Sequence, residues 1–254
     1  MLDTHVHLNE LNNISQKITD AINLGINGIV AVGTDYISNK INLELSTKYS
    51  FIEMKIYLAM GIHPNNIDKN EIGKTIDFIR INSKNIIALG EIGLDYKNKT
   101  IDEQDNRVQI HVFETQLELS KEISKPVIIH SRNAWKDCLE IIKNHKINNA
   151  VFHWYSGPND ILKMIIDLGY YVSVTPALQY SRGQIDTVKY TPIDRILVET
   201  DSPVRYKDEL GNFYISEPKD IIRTISLVSK IKNIPYPEIV TLTTENAKKF
   251  FKIN

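Results

Sequence analysis

Short runs of β-branched and apolar residues alternate with longer amphipathic stretches along the whole chain. Eight of the short runs are predicted as strands, at residues 2–7, 28–33, 55–61, 86–91, 126–130, 150–153, 171–175 and 195–200. Helical spacing of apolar residues predicts helices at residues 14–24, 40–49, 72–81, 103–123, 135–145, 161–168, 219–231 and 237–251. Residues 176–192 are predicted to be mostly loop. This alternation is typical of parallel strands joined by helical crossovers.

Eight strands in 254 residues predict an α/β fold, the (β/α)8 TIM barrel, as a single domain over residues 1–254. Barrels of this kind are often about 200–250 residues long. A doubly wound open sheet usually has fewer strands and a glycine-rich phosphate turn after the first one. The sequence contains no G-x-G-x-x-G motif and no P-loop. The pattern therefore favours the barrel.

The composition excludes some classes of protein. The apolar runs fall well short of the roughly 18–20 residues that a membrane-spanning helix needs. Thirty Lys and Arg residues against 31 Asp and Glu residues argue against a protein that coats nucleic acid by bulk charge, so such a role requires a local patch. The start of the chain has no basic segment leading into an apolar one, and Cys138 is its one cysteine, so a cytoplasmic location is expected.

Five of the seven histidines lie at the predicted carboxyl ends of strands: His5, His7, His63, His130 and His153. Active sites of (β/α)8 barrels are built at that end. A single histidine there would most simply be a hydrogen-bonded core residue, but five on one face indicate a site. In Asp3-Thr-His5-Val-His7 the alternate side chains share a strand face, so both imidazoles can bind a divalent metal and Asp3 can orient one of them.

Two carboxylates join this set, Glu91 at the end of the fourth predicted strand and Asp201 after the eighth. Isolated acids at strand ends are usually solvated, but acids that face several imidazoles are better explained as metal ligands. A carboxylate that offers both oxygens can bridge two cations about 3.5–4 Å apart. The residues are numerous enough for two metals with positions left open for water.

Short motifs follow one another in a fixed order along the chain: Asp3-Thr-His5-Val-His7, Gly61-Ile-His63-Pro64, Gly90-Glu91-Ile-Gly-Leu-Asp95-Tyr96, Gln109-x3-Phe113-x2-Gln116-Leu117, Pro126-Val-Ile-Ile-His130-Ser131-Arg132, His153-Trp-Tyr-Ser156-Gly157, Glu199-Thr-Asp201-Ser-Pro203 and Asn246-x3-Phe250. In this order they resemble the TatD-type metal-dependent deoxyribonucleases, within the wider amidohydrolase-like metallo-barrels. The resemblance covers essentially the whole chain.

The resemblance implies that the metal ligands are His5, His7, Glu91, His130, His153 and Asp201, and that His63 assists at the substrate. Three positions depart from the family's usual pattern. Tyr155 stands where Phe is common, Asn65 where His is frequent, and Lys249 where Arg is usual. None of these changes removes a ligand, so they bear on the choice of substrate.

For the chemistry, two divalent ions, Mg²⁺, Mn²⁺ or Zn²⁺, would make the nucleophile and stabilise the phosphate oxygens. Glu91 is predicted to bridge them, with the histidine pair of the first strand on one ion and that of the fifth and sixth strands on the other. Asp201 would also accept a proton from the attacking water. His63 would contact the phosphate or protonate the leaving group; alternatively it is a turn residue held by Pro64. Glu199, like Asp3, is expected to support the ligands.

Cations and aromatic residues alternate in the loops of the same face. Arg132, Arg182, Arg205 and Tyr155 are predicted substrate contacts, although ordinary loop roles remain an alternative. Guanidinium groups bind phosphate, and each base stacked on an aromatic ring contributes roughly 1–3 kcal/mol. The expected partner is therefore DNA with short or single-stranded ends, and no membrane. The oligomeric state is not predicted, and a monomer is compatible with the sequence.

Two other functions use the same features. An amide, ester or lactone hydrolase, including an aminoacyl-tRNA deacylase, would need the same activated water. Glu91 stands where the carbamylated-lysine branch of these barrels has its lysine, which argues against that branch. A binding protein on an inactive barrel would have lost ligands, and all six are present.

Overall fold

The computed structural model describes residues 1–97 and 103–254. Eight parallel strands lie in the order of the chain: β1 (Leu2–Val6), β2 (Gly28–Val32), β3 (Lys55–Met60), β4 (Ala88–Asp95), β5 (Val127–Arg132), β6 (Ala150–Phe152), β7 (Tyr171–Val174) and β8 (Ile196–Val198). The backbone N–H of Asp201 donates to the carbonyl of His5, and that of His7 donates to Ser202. These bonds join the first strand to the segment after the last, so the predicted TIM barrel is confirmed.

Helices cover the outside of the barrel: α1 (Ile14–Asn23), α2 (Tyr36–Lys48), α3 (Ile72–Ile81), α4 (Glu103–Glu122), α5 (Trp135–Asn144), α6 (Asn159–Asp167), α7 (Arg182–Tyr190), α8 (Ile221–Lys232) and α9 (Tyr236–Phe251). Their apolar spacing explains their placement. In α5, for example, Cys138, Leu139 and Ile142 are buried while Lys136 is exposed. Among residues 1–97 and 103–254, no helix is apolar and long enough to cross a membrane.

The strand faces that fill the barrel also direct polar residues into its mouth. Ile128, Val151 and Leu197 belong to one buried apolar cluster inside the ring of strands. His130, His153 and Glu199 follow these three residues two positions later in the chain. Because strand side chains repeat with period two, the same face is apolar in the barrel and polar at its carboxyl end. The site therefore rests directly on the core.

Two predictions differ from the structure near the site. β4 does not end at Glu91 but continues to Asp95, after a register shift between Leu89 and Ile92. A side chain at Gly93 would overlap the carbonyl oxygen of His130, so glycine permits the close approach of β4 and β5 there. The second error concerns residues 176–192, which contain α7 rather than mostly loop.

Polar residues on a buried face account for the error at α7. Gln184 and Thr187 are completely or almost completely buried. Gln184 Oε1 accepts a hydrogen bond from the backbone N–H of Thr175 at 3.0 Å. The side chain of Ser181 caps the helix by accepting a bond from the N–H of Gln184. A search for apolar spacing does not detect a helix that is attached in this way.

A two-stranded antiparallel ribbon after β8 was not predicted. It consists of β9 (Arg205–Lys207) and β10 (Phe213–Ile215). Each strand has three residues, as β6 and β8 do, but its two outer residues are exposed, so neither strand is part of a buried apolar run. The signal that could have revealed it is the turn between them, where Gly211 adopts φ +84°.

Candidate functional site

The two histidines of β1 face the same carboxylates. Their Nε2 atoms lie 3.4 Å (His5) and 3.8 Å (His7) from Glu91 Oε2. They lie 3.6 Å and 3.3 Å from Asp201 Oδ1, respectively. His5 is completely buried, whereas His7 keeps 14% of its side chain exposed and borders the open mouth. Strand alternation thus brings both rings to one point.

Glu91 lies at the centre of the site and presents its two oxygens to different histidines. Oε2 faces the pair on β1, whereas Oε1 lies 2.6 Å from His130 Nδ1 and 3.5 Å from His153 Nε2. Burial alone would raise the pKa of Glu91, but His153, His63 and His130 hold it well below its usual range. The carboxylate is therefore charged and directed at two groups of imidazoles.

Asp201 lies in the segment that follows β8 and faces the same histidines as Glu91 does. Its backbone is left-handed, with φ 50°, and its N–H donates to the carbonyl of His5 at 3.0 Å. Oδ2 lies 3.9 Å from His153 Nε2. Burial raises the pKa of Asp201, but His153 and His7 outweigh burial and lower it to about 2. Asp201 is also a charged ligand candidate.

Glu199 supports His153 from behind. Its Oε1 lies 2.8 Å from His153 Nδ1 and accepts the backbone N–H of Trp154 at 3.1 Å. Trp154 has a left-handed φ of 44°, which this bond and a second one to Ser173 Oγ hold in place. Burial lowers the pKa of His153, but Glu199 and Glu91 outweigh it and raise the pKa to about 10.

Asp3 supports the site through the backbone rather than through an imidazole. Its Oδ2 accepts the hydroxyl of Thr200 at 2.6 Å, and its Oδ1 accepts the N–H groups of Thr200 and His5. Thr200 precedes Asp201 in the chain. Asp3 therefore ties β1 to the segment that carries Asp201, which differs from the predicted contact with a ligand ring.

Asp95 is a site residue to which the sequence analysis assigned no role. Its Oδ2 lies 2.9 Å from His130 Nε2 and accepts the side-chain amide of Asn65 at 3.0 Å. Burial raises the pKa of Asp95, but hydrogen bonds from His130 and from the N–H of Lys97 hold it below its usual range. Asp95 stands four residues after Glu91, so an unbroken strand would have placed both acids on one face.

His63 lies at the edge of the site, with Nε2 3.8 Å from Glu91 Oε1. Its Nδ1 accepts the backbone N–H of Asn65 at 3.1 Å, so it is also a turn residue, as the alternative interpretation had it. Burial lowers the pKa of His63 to about 3. A neutral ring that accepts at Nδ1 carries its hydrogen on Nε2, which faces Glu91 and the cavity.

The histidines and carboxylates fit a divalent cation. Within the described residues, buried nitrogens of His5 and His7 and Oδ1 of Asp201 have no hydrogen-bond partner. Buried polar atoms are nearly always paired, so these atoms indicate a missing ligand of the opposite polarity. Three sets bring their ligand atoms within 4.8 Å of one another: His5, His7 and Asp201; His63, Glu91 and His130; and His5, His153 and Glu199.

A cavity of about 470 Å³ opens above these residues. Arg132, Trp135 and Trp154 line it beside the histidines, so Arg132 lies where a substrate contact was predicted. Arg182 and Arg205 are exposed and lie outside the cavity lining. The sequence analysis gave no role to Trp135, which follows β5 at the start of α5.

Tyr155 does not reach the cavity, so the prediction that it contacts substrate is wrong. Its side chain is completely buried, and its hydroxyl donates to the carbonyl of Pro158 at 2.7 Å. The ring packs against Trp135 and Phe152. The left-handed backbone at Trp154 breaks strand alternation here, which turns Trp154 toward the cavity and Tyr155 toward the core.

Comparison with known proteins identifies the family of the chain. Residues 2–252 match the family model described as TatD related DNase. A relative from Bacillus subtilis, named as the metal-dependent hydrolase YabD, is 30% identical over 264 residues, covering 100% of both chains. A relative from Enterocytozoon bieneusi, whose name includes the term deoxyribonuclease, is 33% identical and covers 83% of this chain and 84% of its own.

Among solved structures, the TatD homologue YJJV from Escherichia coli superposes with a TM-score of 0.87 at 24% identity, covering 100% of this chain and 98% of that one. This likeness supports the barrel fold. The match to the family over nearly the whole chain carries the assignment. The chain belongs to the TatD-related DNase family and is an enzyme of the hydrolase class.

Proposed function

We propose that this TatD-family hydrolase cleaves phosphodiester bonds of DNA with the help of two divalent metal ions. The observation that carries the proposal is the position of Glu91, with one oxygen toward His5 and His7 and the other toward His130 and His153. A carboxylate shared between two sets of imidazoles suits a bridging ligand. The family match and the deoxyribonuclease term in a relative's name favour DNA as the substrate.

His5, His7 and Asp201 would hold one ion, and His130 and His153 the other, with Glu91 shared. When bound, two such ions neutralise phosphate charge and provide an activated water. Imidazole and carboxylate donors are compatible with Mg²⁺, Mn²⁺ or Zn²⁺. Glu199 and Asp95 would keep the rings of His153 and His130 in the orientation that binding requires.

Two side chains would act on the reacting groups. Asp201 is proposed to accept a proton from the attacking water at Oδ2, because Oδ1 faces the histidines of β1. His63 Nε2–H is proposed to donate a hydrogen bond to a phosphate oxygen, since its Nδ1 already accepts the N–H of Asn65. This role replaces proton donation by an imidazolium, because the low pKa of His63 keeps the ring neutral.

The shape of the site favours a strand end as the substrate. A cavity of about 470 Å³ is within the range of small-ligand sites, so it suits one end of a chain better than a continuous duplex. Arg132 at the rim would hold a phosphate, and Trp135 and Trp154 would contact an unpaired base. The exposed Arg182 would contact phosphates further from the scissile bond.

The test is the digestion of end-labelled single-stranded DNA by the purified protein, with chelator and with added Mg²⁺ or Mn²⁺. We expect metal-dependent shortening from an end and its loss in His130→Ala. A surface variant, Lys136→Ala, is the matched control and should keep full activity. Intact DNA in every metal, together with turnover of an amide, an aryl ester or an aminoacyl-tRNA that His130→Ala abolishes, would favour the alternative hydrolase instead.

A further inference from the structure

The ribbon of β9 and β10 is attached to the active site by its inner face. Tyr206 and Tyr214 are paired across the ribbon and share that face. Tyr206 is completely buried, its hydroxyl donates to the carbonyl of Thr200 at 3.0 Å, and its ring lies 5.4 Å from that of Trp154. The guanidinium of Arg223 in α8 lies 4.8 Å from the centre of the Tyr214 ring. These contacts hold the ribbon in a fixed position beside the cavity.

The outer face of the ribbon combines positive charge with exposed apolar surface. Its four residues are Arg205, Lys207, Phe213 and Ile215. Phe213 is 55% exposed and Ile215 62% exposed. The guanidinium of Arg205 lies 4.0 Å from the centre of the Phe213 ring, and Lys207 Nζ lies 5.2 Å from it. A large aromatic ring is thus presented to solvent between two cations.

The two acids of the connecting turn, Asp208 and Glu209, lie toward the tip of the ribbon, after the last residue of β9. Asp208 uses its carboxylate within the turn, where Oδ1 accepts the backbone N–H groups of Leu210 and Asn212. Glu209 is exposed at the tip, beyond the paired strands. A negatively charged chain would therefore be attracted to the paired part of the ribbon rather than to its tip.

We propose that this outer face binds the single-stranded part of the substrate as it leaves the cavity, with phosphates on Arg205 and Lys207 and one base stacked on Phe213. The inference rests on the proposed function, because it identifies the substrate as a strand that continues past the active site. A polyanion with exposed ring faces matches both the charge and the apolar area of the surface. A second copy of this chain, formally −1 overall, offers no comparable excess of negative charge.

The distance from the cavity sets the length of strand that this contact needs. Val204 lines the cavity and the next residue, Arg205, begins the ribbon. Four residue steps separate Asp201 from Arg205, which corresponds to at most roughly 14 Å of chain. Stacked nucleotides follow one another at about 3.4 Å along a strand. A stacked strand of more than about four nucleotides therefore spans the distance to Arg205, whose guanidinium lies 4.0 Å from the centre of the Phe213 ring.

The experiment measures binding without cleavage. A fluorescent oligothymidylate of about twelve nucleotides, with phosphorothioate linkages that resist cleavage, is titrated with protein in the presence of Mn²⁺, and its anisotropy is recorded at several salt concentrations. For Phe213→Ala we expect affinity to fall about tenfold, as for the loss of one stacked base. Lys207→Gln should weaken binding and reduce the slope of log affinity against log salt by roughly one. Neither variant should alter binding of a labelled dinucleotide.

Matched control variants are available at the opposite end of the barrel. Phe51 is 96% exposed in the connection before β3, and Lys84 is exposed in the connection before β4. Phe51→Ala and Lys84→Gln should bind the long oligonucleotide with wild-type affinity. Equal affinities of Phe213→Ala and wild type would overturn the proposal, as would an equal loss in Phe51→Ala.

Failure of this inference is distinguishable from failure of the proposed function. If binding depends on Phe213 but the protein leaves DNA uncut in the presence of metal, the proposed binding face is retained and the proposed nuclease activity is rejected. If Phe213→Ala and wild type cleave DNA with the same dependence on strand length, the proposed binding face is rejected and the nuclease activity is retained. Sedimentation of the free protein tests whether a second copy of this chain occupies the face instead. A dimer that Phe213→Ala converts to a monomer would assign this face to self-association and overturn the proposal.

Discussion

At the scale of single residues, the ring of His130 is held between two carboxylates. Nδ1 lies 2.6 Å from Glu91 Oε1, and Nε2 lies 2.9 Å from Asp95 Oδ2. A histidine whose second nitrogen is fixed by a carboxylate keeps one tautomer and one orientation, which favours metal binding through the first nitrogen. Asp95 is in turn held by the side-chain amide of Asn65. The acid is thus well placed to orient His130.

The replacement of Asp95 by Asn keeps its size and removes its charge. We expect the affinity for Mn²⁺ to fall by about 10–100-fold, the usual effect of losing such a partner, while the protein remains folded. Calorimetric titration with Mn²⁺ measures the affinity, and the midpoint of urea unfolding tests the fold. Asp77→Asn, on the exposed surface of α3, is the matched control. Wild-type affinity in Asp95→Asn would exclude the orienting role.

Side chains at the site were predictable where strand alternation is regular. The shared direction of His5 and His7 follows from their spacing of two along β1. Asp95 was missed because β4 continues past Glu91 after a register shift that no sequence periodicity reveals. Tyr155 was misplaced because the left-handed backbone of Trp154 depends on bonds to Ser173 and Glu199, which are distant in the chain.

At the scale of elements, α7 is attached to the barrel by a polar contact. Gln184 is completely buried, and its Oε1 accepts hydrogen bonds from the N–H of Thr175 at 3.0 Å and from its hydroxyl at 3.2 Å. Thr175 directly follows β7. The side chain therefore joins the helix to the end of a barrel strand, close to the face that carries the site.

Gln184→Ala should destabilise the protein, because it leaves the buried N–H of Thr175 without its acceptor. We expect a loss of about 1–3 kcal/mol in the free energy of unfolding, measured by urea denaturation. Lys189→Ala removes an exposed side chain from the same helix and should stay within about 0.5 kcal/mol of wild type. Equal stability of the two variants would show that the contact does not hold α7.

Elements were predictable where a buried apolar face or a buried apolar run marks them in the sequence. The helix at residues 72–81 was predicted with the bounds that it has, because one apolar face packs on the barrel. By contrast, α7 uses a polar buried face, and the two outer residues of each ribbon strand are exposed. The ribbon is stabilised by Tyr206 and Tyr214, whose partners come from other parts of the chain. Local pattern contains no information about such partners.

At the scale of the whole molecule, acidic side chains are concentrated in the barrel mouth. Five buried acids converge there although the chain as a whole is formally −1: Asp3, Glu91, Asp95, Glu199 and Asp201. Composition cannot reveal this distribution, because it counts these acids together with solvated ones. Cations bound at the mouth would offset the charge of these acids toward the proposed phosphate substrate. The near-neutral net charge is thus compatible with a polyanionic substrate.

The closure of the barrel also depends on this region, which couples metal binding to global stability. Asp3 joins β1 to Thr200, and the backbone of Asp201 joins the same strand at His5. A ligand that binds the native state at 100 times its dissociation constant stabilises it by about 2.7 kcal/mol. For a chain of this size each kcal/mol raises Tm by roughly 2–4 °C. Saturation with Mn²⁺ should therefore raise Tm by about 5–10 °C over the protein in chelator.

Thermal unfolding of the chelated and the Mn²⁺-loaded protein tests this coupling. Glu91→Gln, which lacks the charge shared between the two histidine groups, should lose most of the metal-dependent rise in Tm. Glu44→Gln, exposed on α2, is the control and should retain it. A Tm that is the same with and without metal would show that the ions do not bind the native state preferentially. A rise that persists fully in Glu91→Gln would show that they bind elsewhere.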